Sequence, residues 1–439
     1  MGTFRISRRC FLAGFPAAYA QLAQRKSAPV QQGKPVIDIV HSSTTVTGQK
    51  LLYSAQPLRD GAPPSRPPAP AAEEPFLARH FGSNAANSRL PGVLPEGPWK
   101  IKWSTALSSE GASVIRAGDR IICQWSGQWR LYDSAGKQMQ DRYCGKTPIV
   151  IDERSATFQL VTDALGWEVR TLSAGEMVFQ NALPYDETYS WPVLFRNGSR
   201  MVAFANVQPA FRHGPPPKSS ALLQLIELTA PMELDASKLV RNLKRFETLE
   251  IAAENSRAAA VNGSVTMAAP DGLLRFDSDL KLTAAFSGKF TPTQISLDES
   301  GWACIFVKVD GGRAVWMVTP EGVRVANWQL PKEVDDPIQP PILGYDRRMY
   351  LLTKAQLAAV DPQGRLLWTK VVPGGSVGGG VTVNGRVLVT SSTSLLAFTP
   401  DGEHTVLRRF DEPVSSPAII TSHREILLSA GKQLHCLAI

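Results

Sequence analysis

The chain has 439 residues, a formal net charge of +8 and 20% charged side chains, with 34 glycines and 33 prolines. That composition suits many short strands joined by many turns. Arg5, Arg8 and Arg9 hold three of the positive charges and no Lys/Arg block is interleaved with aromatics, which excludes a nucleic-acid footprint. No apolar run reaches the roughly 18 residues that a membrane span needs.

The N-terminus reads as an address. Ser7-Arg8-Arg9-Cys10-Phe11-Leu12 matches the twin-arginine export pattern in its serine, both arginines, phenylalanine and leucine, with Ala13 in place of the usual lysine. A short apolar segment broken by Gly14 and Pro16 leads to Ala18-Tyr19-Ala20, which suits signal peptidase. Residues 1–20 are expected to be a signal peptide, and the mature chain to be periplasmic or secreted. Cys10 precedes the apolar segment and is no lipoprotein cysteine. Residues 21–76 read as an extension or linker, because GAPPSRPPAPAA at 61–72 favours extended, unpacked conformers. Within them, residues 36–40 and 50–53 are candidates for isolated strands.

From Trp99 onward one unit recurs. Its best copy is PILGYDRRMYLLTKAQLAAVDPQGRLLW at 341–368. This reads as four short strands joined by three tight turns, an up-and-down antiparallel sheet. In Asp361-Pro362-Gln363-Gly364, proline fixes φ, aspartate bonds the backbone two residues on, and glycine accepts positive φ. The positions aligned with Asp361 are 133, 172, 227, 277, 319, 361, 399 and 439. Their spacings of 39, 55, 50, 42, 42, 38 and 40 residues fall near propeller-blade length, about 40–50 residues. The insertion QPAFRHGPPPKS at 208–219 adjoins the two long intervals. Pro148, Pro192, Pro341 and Pro417 each precede an apolar run, and Asn197-Gly198, Asn262-Gly263 and Asn384-Gly385 each follow one.

A single such sheet cannot bury both faces, whereas copies stacked radially can. The expected fold is therefore all-β: an eight-bladed β-propeller of four-stranded antiparallel blades over residues 77–439. Seven blades is the fallback if the weak copy at 225–228 belongs to an insertion. The last copy stops at Ile439 after three strands, and Trp99-Lys100-Ile101-Lys102-Trp103 alternates with no hairpin partner of its own. This N-terminal stretch is expected to supply the missing outer strand and close the ring.

The run Ala359-Val360-Asp361-Pro362-Gln363-Gly364-Arg365-Leu366-Leu367-Trp368 resembles the repeat of PQQ-binding-like (quinoprotein-type) β-propellers. That family includes quinoprotein dehydrogenases and a non-catalytic outer-membrane-assembly lipoprotein of the same shape. Phe81-Gly82-Ser83-Asn84-Ala85-Ala86-Asn87 resembles the lead-in of such proteins. The resemblance covers residues 77–439 and is specific in one blade. Trp368 fills the tryptophan position, with Met139 and His404 among its substitutes elsewhere, and the turn lacks the threonine and one residue of the quinoprotein docking motif. Asp361, Gly364, Trp368, Trp99 and Trp103 are thus expected to serve turn geometry and blade packing.

No catalytic, cofactor-binding or metal-binding residue is nominated. The adjacent cysteines of alcohol-dehydrogenase-type quinoproteins and the Cys-x-x-Cys-His of covalent haem are absent. Gly374-Gly375-Ser376-Val377-Gly378 spells a nucleophile elbow, but it sits between strands, where glycine is explained by backbone fit. Six histidines are scattered without ligand spacing, and Glu333-Val334-Asp335-Asp336 reads as a solvated acidic turn. Cys123, Cys304 and Cys436 lie in apolar strands and are expected to be free thiols, while Cys144 is the nearest in sequence to Cys123. Phe211, Arg212 and His213, in the insertion, form a possible contact loop. The expected function is an exported, non-enzymatic binding scaffold for a protein, peptide or glycan. The alternative is a periplasmic PQQ- and calcium-dependent oxidoreductase acting on alcohols or sugars.

Overall fold

In the sixth sheet (residues 342–371), the strands Met349–Leu352 and Gln356–Val360 are buried almost throughout, while Leu366–Val371 is largely exposed. Strands covered on both faces need continuous apolar runs such as MYLL and LAAV, and an outer strand does not. This gradient from one edge of a sheet to the other repeats along the chain and dictates how the sheets assemble. A computed structural model describes residues 36–43, 49–62, 93–117, 120–125, 128–143, 148–152, 156–161, 166–171, 177–182, 185–188, 195–197, 200–209, 220–228, 243–251, 255–261, 263–270, 272–421 and 425–439.

The described residues form eight sheets and no helix. In chain order they span residues 113–143, 148–182, 185–251, 257–287, 291–329, 342–371, 376–409 and 419–438. All but the third and the eighth are built on an antiparallel meander of four consecutive strands, to which the fourth and fifth add a short parallel strand. First strands meet first strands between sheets eight and one, one and two, four and five, five and six, and six and seven. The apolar clusters lie between successive sheets. One joins Phe306 and Met317 of the fifth to Leu351 and Val360 of the sixth, and another joins Tyr350 of the sixth to Val389 and Phe398 of the seventh. Sheets that share an inner edge and bury their faces against one another are the blades of a β-propeller. The weak copy at 225–228 ends Ser220–Leu228, a strand of the third sheet.

The tight turn recurs with near-identical bonds. At Asp361 the backbone N–H donates across the turn to Arg365 O at 2.9 Å, while Gly364 N donates to Asp361 O at 3.0 Å. Asp361 Oδ1 accepts from Gln363 N and Arg365 N. The same backbone pair closes the turns at Asp133, Asp277, Thr319 and Thr399. The fourth turn residue is left-handed in each: Gly136, Gly322, Gly364 and Gly402 have φ of 80°, 75°, 83° and 87°. Leu280 takes that place in the fourth sheet at φ 57° and is buried.

The N-terminal strand β5 (Lys100–Ala106) pairs antiparallel with Gln433–Ala438 and becomes the fourth strand of the eighth sheet, with Cys436 opposite Trp103. The stretch expected as a linker carries four strands: β1 (Val36–Ser43), β2 (Gln49–Ser54), β3 (Gln56–Pro57) and β4 (Arg59–Asp60). The first two extend the third sheet beyond Leu243–Ile251, and Ile39 is buried there. β3 lies parallel to Leu282–Ser287 and β4 parallel to Val323–Gln329. Residues 36–60 therefore strap the outer edges of three consecutive sheets. The Pro/Ala composition of 61–72 pointed to a linker, but the apolar residues of 36–54 find an edge to cover.

Candidate functional site

Trp368 lies on an outer strand with its side chain over the next sheet. Its indole N–H donates to Pro400 O at 2.9 Å, its ring stacks on Phe398 at 6.3 Å, and a Cβ at Gly402 would come within 2.8 Å of it. Each tryptophan of this kind therefore seals the joint between a blade and the turn of its neighbour. Register identifies the equivalent positions. Trp368 pairs Ala359 just past a bulge, and Trp103 of β5 pairs Cys436 just past the same bulge. Trp103 covers Gly136 in the first sheet, where a Cβ would stand 2.6 Å from the ring. Trp103 thus occupies the tryptophan position, which sequence reading had given to Trp368 alone.

The substitutes are corrected in the same way. Gln140 pairs Leu131 at the equivalent place in the first sheet, so Met139 is displaced by one. His404 pairs Phe398, the position held by Leu366 in the sixth sheet, and its ring stacks on Phe398 at 5.1 Å. Phe286 and Ala326 cover Gly322 and Gly364 respectively. Trp99 is buried against Leu388, Ile420 and Leu437, between the seventh and eighth sheets.

Polar side chains bridge the inner strands. Arg257 Nε donates to Thr293 O (2.6 Å), Gln294 Nε2 to Pro337 O (3.1 Å), and Gln339 exchanges two bonds with the Gly379 backbone at 2.7 and 2.8 Å. Pro417 packs where a Cβ on Gly378 would lie, and Ala418 N donates to Thr390 Oγ1 at 2.9 Å. These groups link the fourth to eighth sheets in succession. Ser376 begins the strand Ser376–Val381, not a helix. The elbow motif requires a strand-to-helix turn, so this sequence match has a backbone role.

At one set of turns, arginines reach across blades. Arg347 sits at φ 62°, with its guanidinium 3.7 Å above the Trp302 ring and Nε 3.2 Å from Asp298 Oδ2. Arg348 donates to Pro400 O at 2.7 Å. Burial draws the Arg275 guanidinium down to about 10, against the opposing charges of Glu321 and Asp298. Among the described residues no three His, Cys, Asp or Glu side chains converge to hold a metal ion. The groups that bridge the inner strands are a guanidinium, two amides, a hydroxyl and the backbone.

Cys123, Cys304 and Cys436 are buried free thiols, and burial pushes the thiols of Cys123 and Cys304 well above their ordinary range. Cys144 and the contact loop Phe211, Arg212 and His213 lie outside the described residues. A crevice that sequence reading missed opens between the outer parts of the fourth and fifth sheets. Leu58, Lys289, Asp310, Trp316, Asn327 and Gln329 are among its walls. No sequence motif marks it, because its residues come from the strap and from two blades.

No protein-family model matches the chain, and no curated protein matches it. Among solved structures it is similar to a streptogramin B lyase, at 9% identity and a TM-score of 0.43, over 78% of this chain and 98% of that one. It is also similar to AztD from Citrobacter koseri in its apo form, at 12% identity and a TM-score of 0.46, over 71% and 94% of the two chains. A third likeness is to virginiamycin B lyase from Staphylococcus aureus, at 10% identity and a TM-score of 0.40, over 78% and 99%.

Proposed function

We propose that the chain is an exported, non-enzymatic binding scaffold. In this reading it is an eight-bladed propeller whose ring β5 closes, and it takes a protein, peptide or glycan partner on its surface. The observation that carries the reading is how the polar groups near the axis are used. Arg257, Gln294 and Gln339 are bonded to the backbone of neighbouring blades, so they hold the ring together and do not converge on a reacting atom. Export rests on the Ser7-Arg8-Arg9 pattern and the Ala18-Tyr19-Ala20 site.

The test uses the mature chain in two arms. Site-specific photocrosslinking in the native envelope should give a discrete adduct from at least one propeller face. In the second arm, PQQ and Ca²⁺ are added to the purified protein, and dye-linked oxidation of alcohols and sugars is followed. Turnover above the protein-free control in that arm would overturn the scaffold reading in favour of the oxidoreductase.

A further inference from the structure

We propose that the crevice between the fourth and fifth sheets binds a saccharide of monosaccharide to disaccharide size. The inference deepens the scaffold reading and rests on it. The crevice has a volume of about 360 Å³, at the lower end of small-molecule sites, which span about 300–1,000 Å³.

Its polar wall is fixed by an amide relay. The Trp316 indole can only donate, so the Asn327 atom that it meets at 3.0 Å is the carbonyl oxygen. Gln329 approaches that same oxygen at 3.0 Å and must present its NH₂ group. The Asn327 amide NH₂ and the Gln329 carbonyl oxygen are then left as an outward donor and acceptor on one outer strand. Lys289 adds donors to the rim and Asp310 adds acceptors.

The balance of charge selects the ligand class. Arg324 lies over the Trp316 ring at 4.5 Å and is bonded to Asp60 at 2.6 Å, so its charge is already matched. The remaining rim has one cation, Lys289, and one anion, Asp310. A phosphate or nucleotide would need a positive excess, which this rim lacks. A ligand whose groups each both donate and accept fits a wall of mixed donors and acceptors, and hydroxyls are such groups. Leu58 and Val309 supply apolar surface against which the C–H face of a sugar ring would rest, while the Trp316 ring is buried under Arg324 and serves the amide relay. Gly288 keeps the strap wall in place, because a Cβ there would come within 3.0 Å of Leu58 Cδ1.

The experiment is saturation-transfer difference NMR on the full mature chain. The probes are methyl α-glucoside, methyl β-galactoside, methyl α-mannoside, N-acetylglucosamine and glucuronate. At least one should receive saturation. Its affinity should fall about tenfold, or about 1.4 kcal/mol, in Asn327→Ala and in Gln329→Ala. Both residues are exposed on an outer strand, and circular dichroism verifies that the variants fold. Lys289→Ala is a third variant that leaves the amide relay intact, and it should weaken the same probe. No transfer to any probe, or transfer that survives both amide variants unchanged, overturns the proposal. A negative result here with a discrete protein crosslink elsewhere leaves the scaffold reading standing, whereas quinone-dependent turnover removes that reading itself.

Discussion

Replacing Gly136 with alanine should loosen the joint between the eighth and first sheets. Two costs apply there. Gly136 has φ 80°, and a left-handed residue with a side chain costs about 1–2 kcal/mol. Its new Cβ would also come within 2.6 Å of Trp103 ring carbons and 2.7 Å of Thr105 Oγ1. Overpacking of that kind typically costs a further 1–3 kcal/mol or so, which gives about 2–5 kcal/mol in all. Gly311 isolates the first cost, with φ 92° and nothing within 4 Å of its built Cβ. Gly402 repeats the full situation under Trp368, where the contact would be 2.8 Å. Urea unfolding followed by far-ultraviolet circular dichroism should therefore place Gly136→Ala and Gly402→Ala together, well below Gly311→Ala. Adding Trp103→Ala to Gly136→Ala should recover the clash part and give a non-additive cycle. Equal midpoints for Gly136→Ala and Gly311→Ala would refute the docking of Trp103 and with it the tryptophan position assigned to β5.

Other perturbations read different parts of the ring. Leu280→Gly relieves a left-handed backbone worth about 1–2 kcal/mol but deletes a buried leucine worth about 2–5 kcal/mol or more, so net destabilisation is expected in the same urea assay. Asp298→Ala removes the carboxylate facing Arg347, which is buried against Trp302. Breaking such a pair costs about 3–5 kcal/mol, and a smaller loss is expected when Arg347→Met accompanies it. His435 is held below its ordinary range, first by burial and then by Arg408, so the folded state favours the neutral ring. Its contribution is present above the unfolded value of 6.5 and is lost as pH falls from there through the depressed folded value. Thermal melts between pH 7 and pH 5 should show that slope, and His435→Gln should flatten it. In a Cys144→Ser variant of the mature chain, native protein should resist thiol labelling and unfolded protein should take up three equivalents, at Cys123, Cys304 and Cys436.

The blade unit was legible because its turn chemistry is local. Asp361 and Gly364 act on residues within four positions of themselves, and that information survives in a short stretch of sequence. The pairing of β5 with the last copy was legible from a deficit, since that copy carried three strands and β5 had no hairpin partner of its own. The tryptophan position was misread at Met139 and His404. In the first sheet the bulge sits where it does in the sixth, so count and register agree on Gln140 and Met139 is a miscount by one. In the seventh sheet the bulge sits at Leu395/Leu396, so the count from the turn reaches Val406 while pairing puts Thr405 opposite Ala397, and neither is His404. The strands expected at 36–40 and 50–53 fall within β1 and β2, whereas β3 and β4 were missed because they are two residues long, too short for any periodicity, and their partners lie more than 200 residues away. The crevice was invisible for the same reason of range.

The two N-terminal additions do different physical work. β5 replaces a missing antiparallel strand and is paired from Lys100 to Ala106, so without it the eighth sheet would end at an unpaired edge. β3 and β4 are fifth strands on sheets that already have four, each paired at two positions. Their ion pair, Arg324 with Asp60, is largely exposed on the aspartate side, where such pairs contribute about 0–1 kcal/mol. The pairings of β3 and β4 therefore contribute little stability by themselves. What the strap does add is Leu58, held between sheets four and five by Leu58 N to Ser287 O at 2.9 Å and Arg59 N to Gly322 O at 3.1 Å. Leu58 lines the crevice together with Asn327 and Gln329. The weak, two-residue pairings of β3 and β4 set one apolar side chain at that point and so shape the recess.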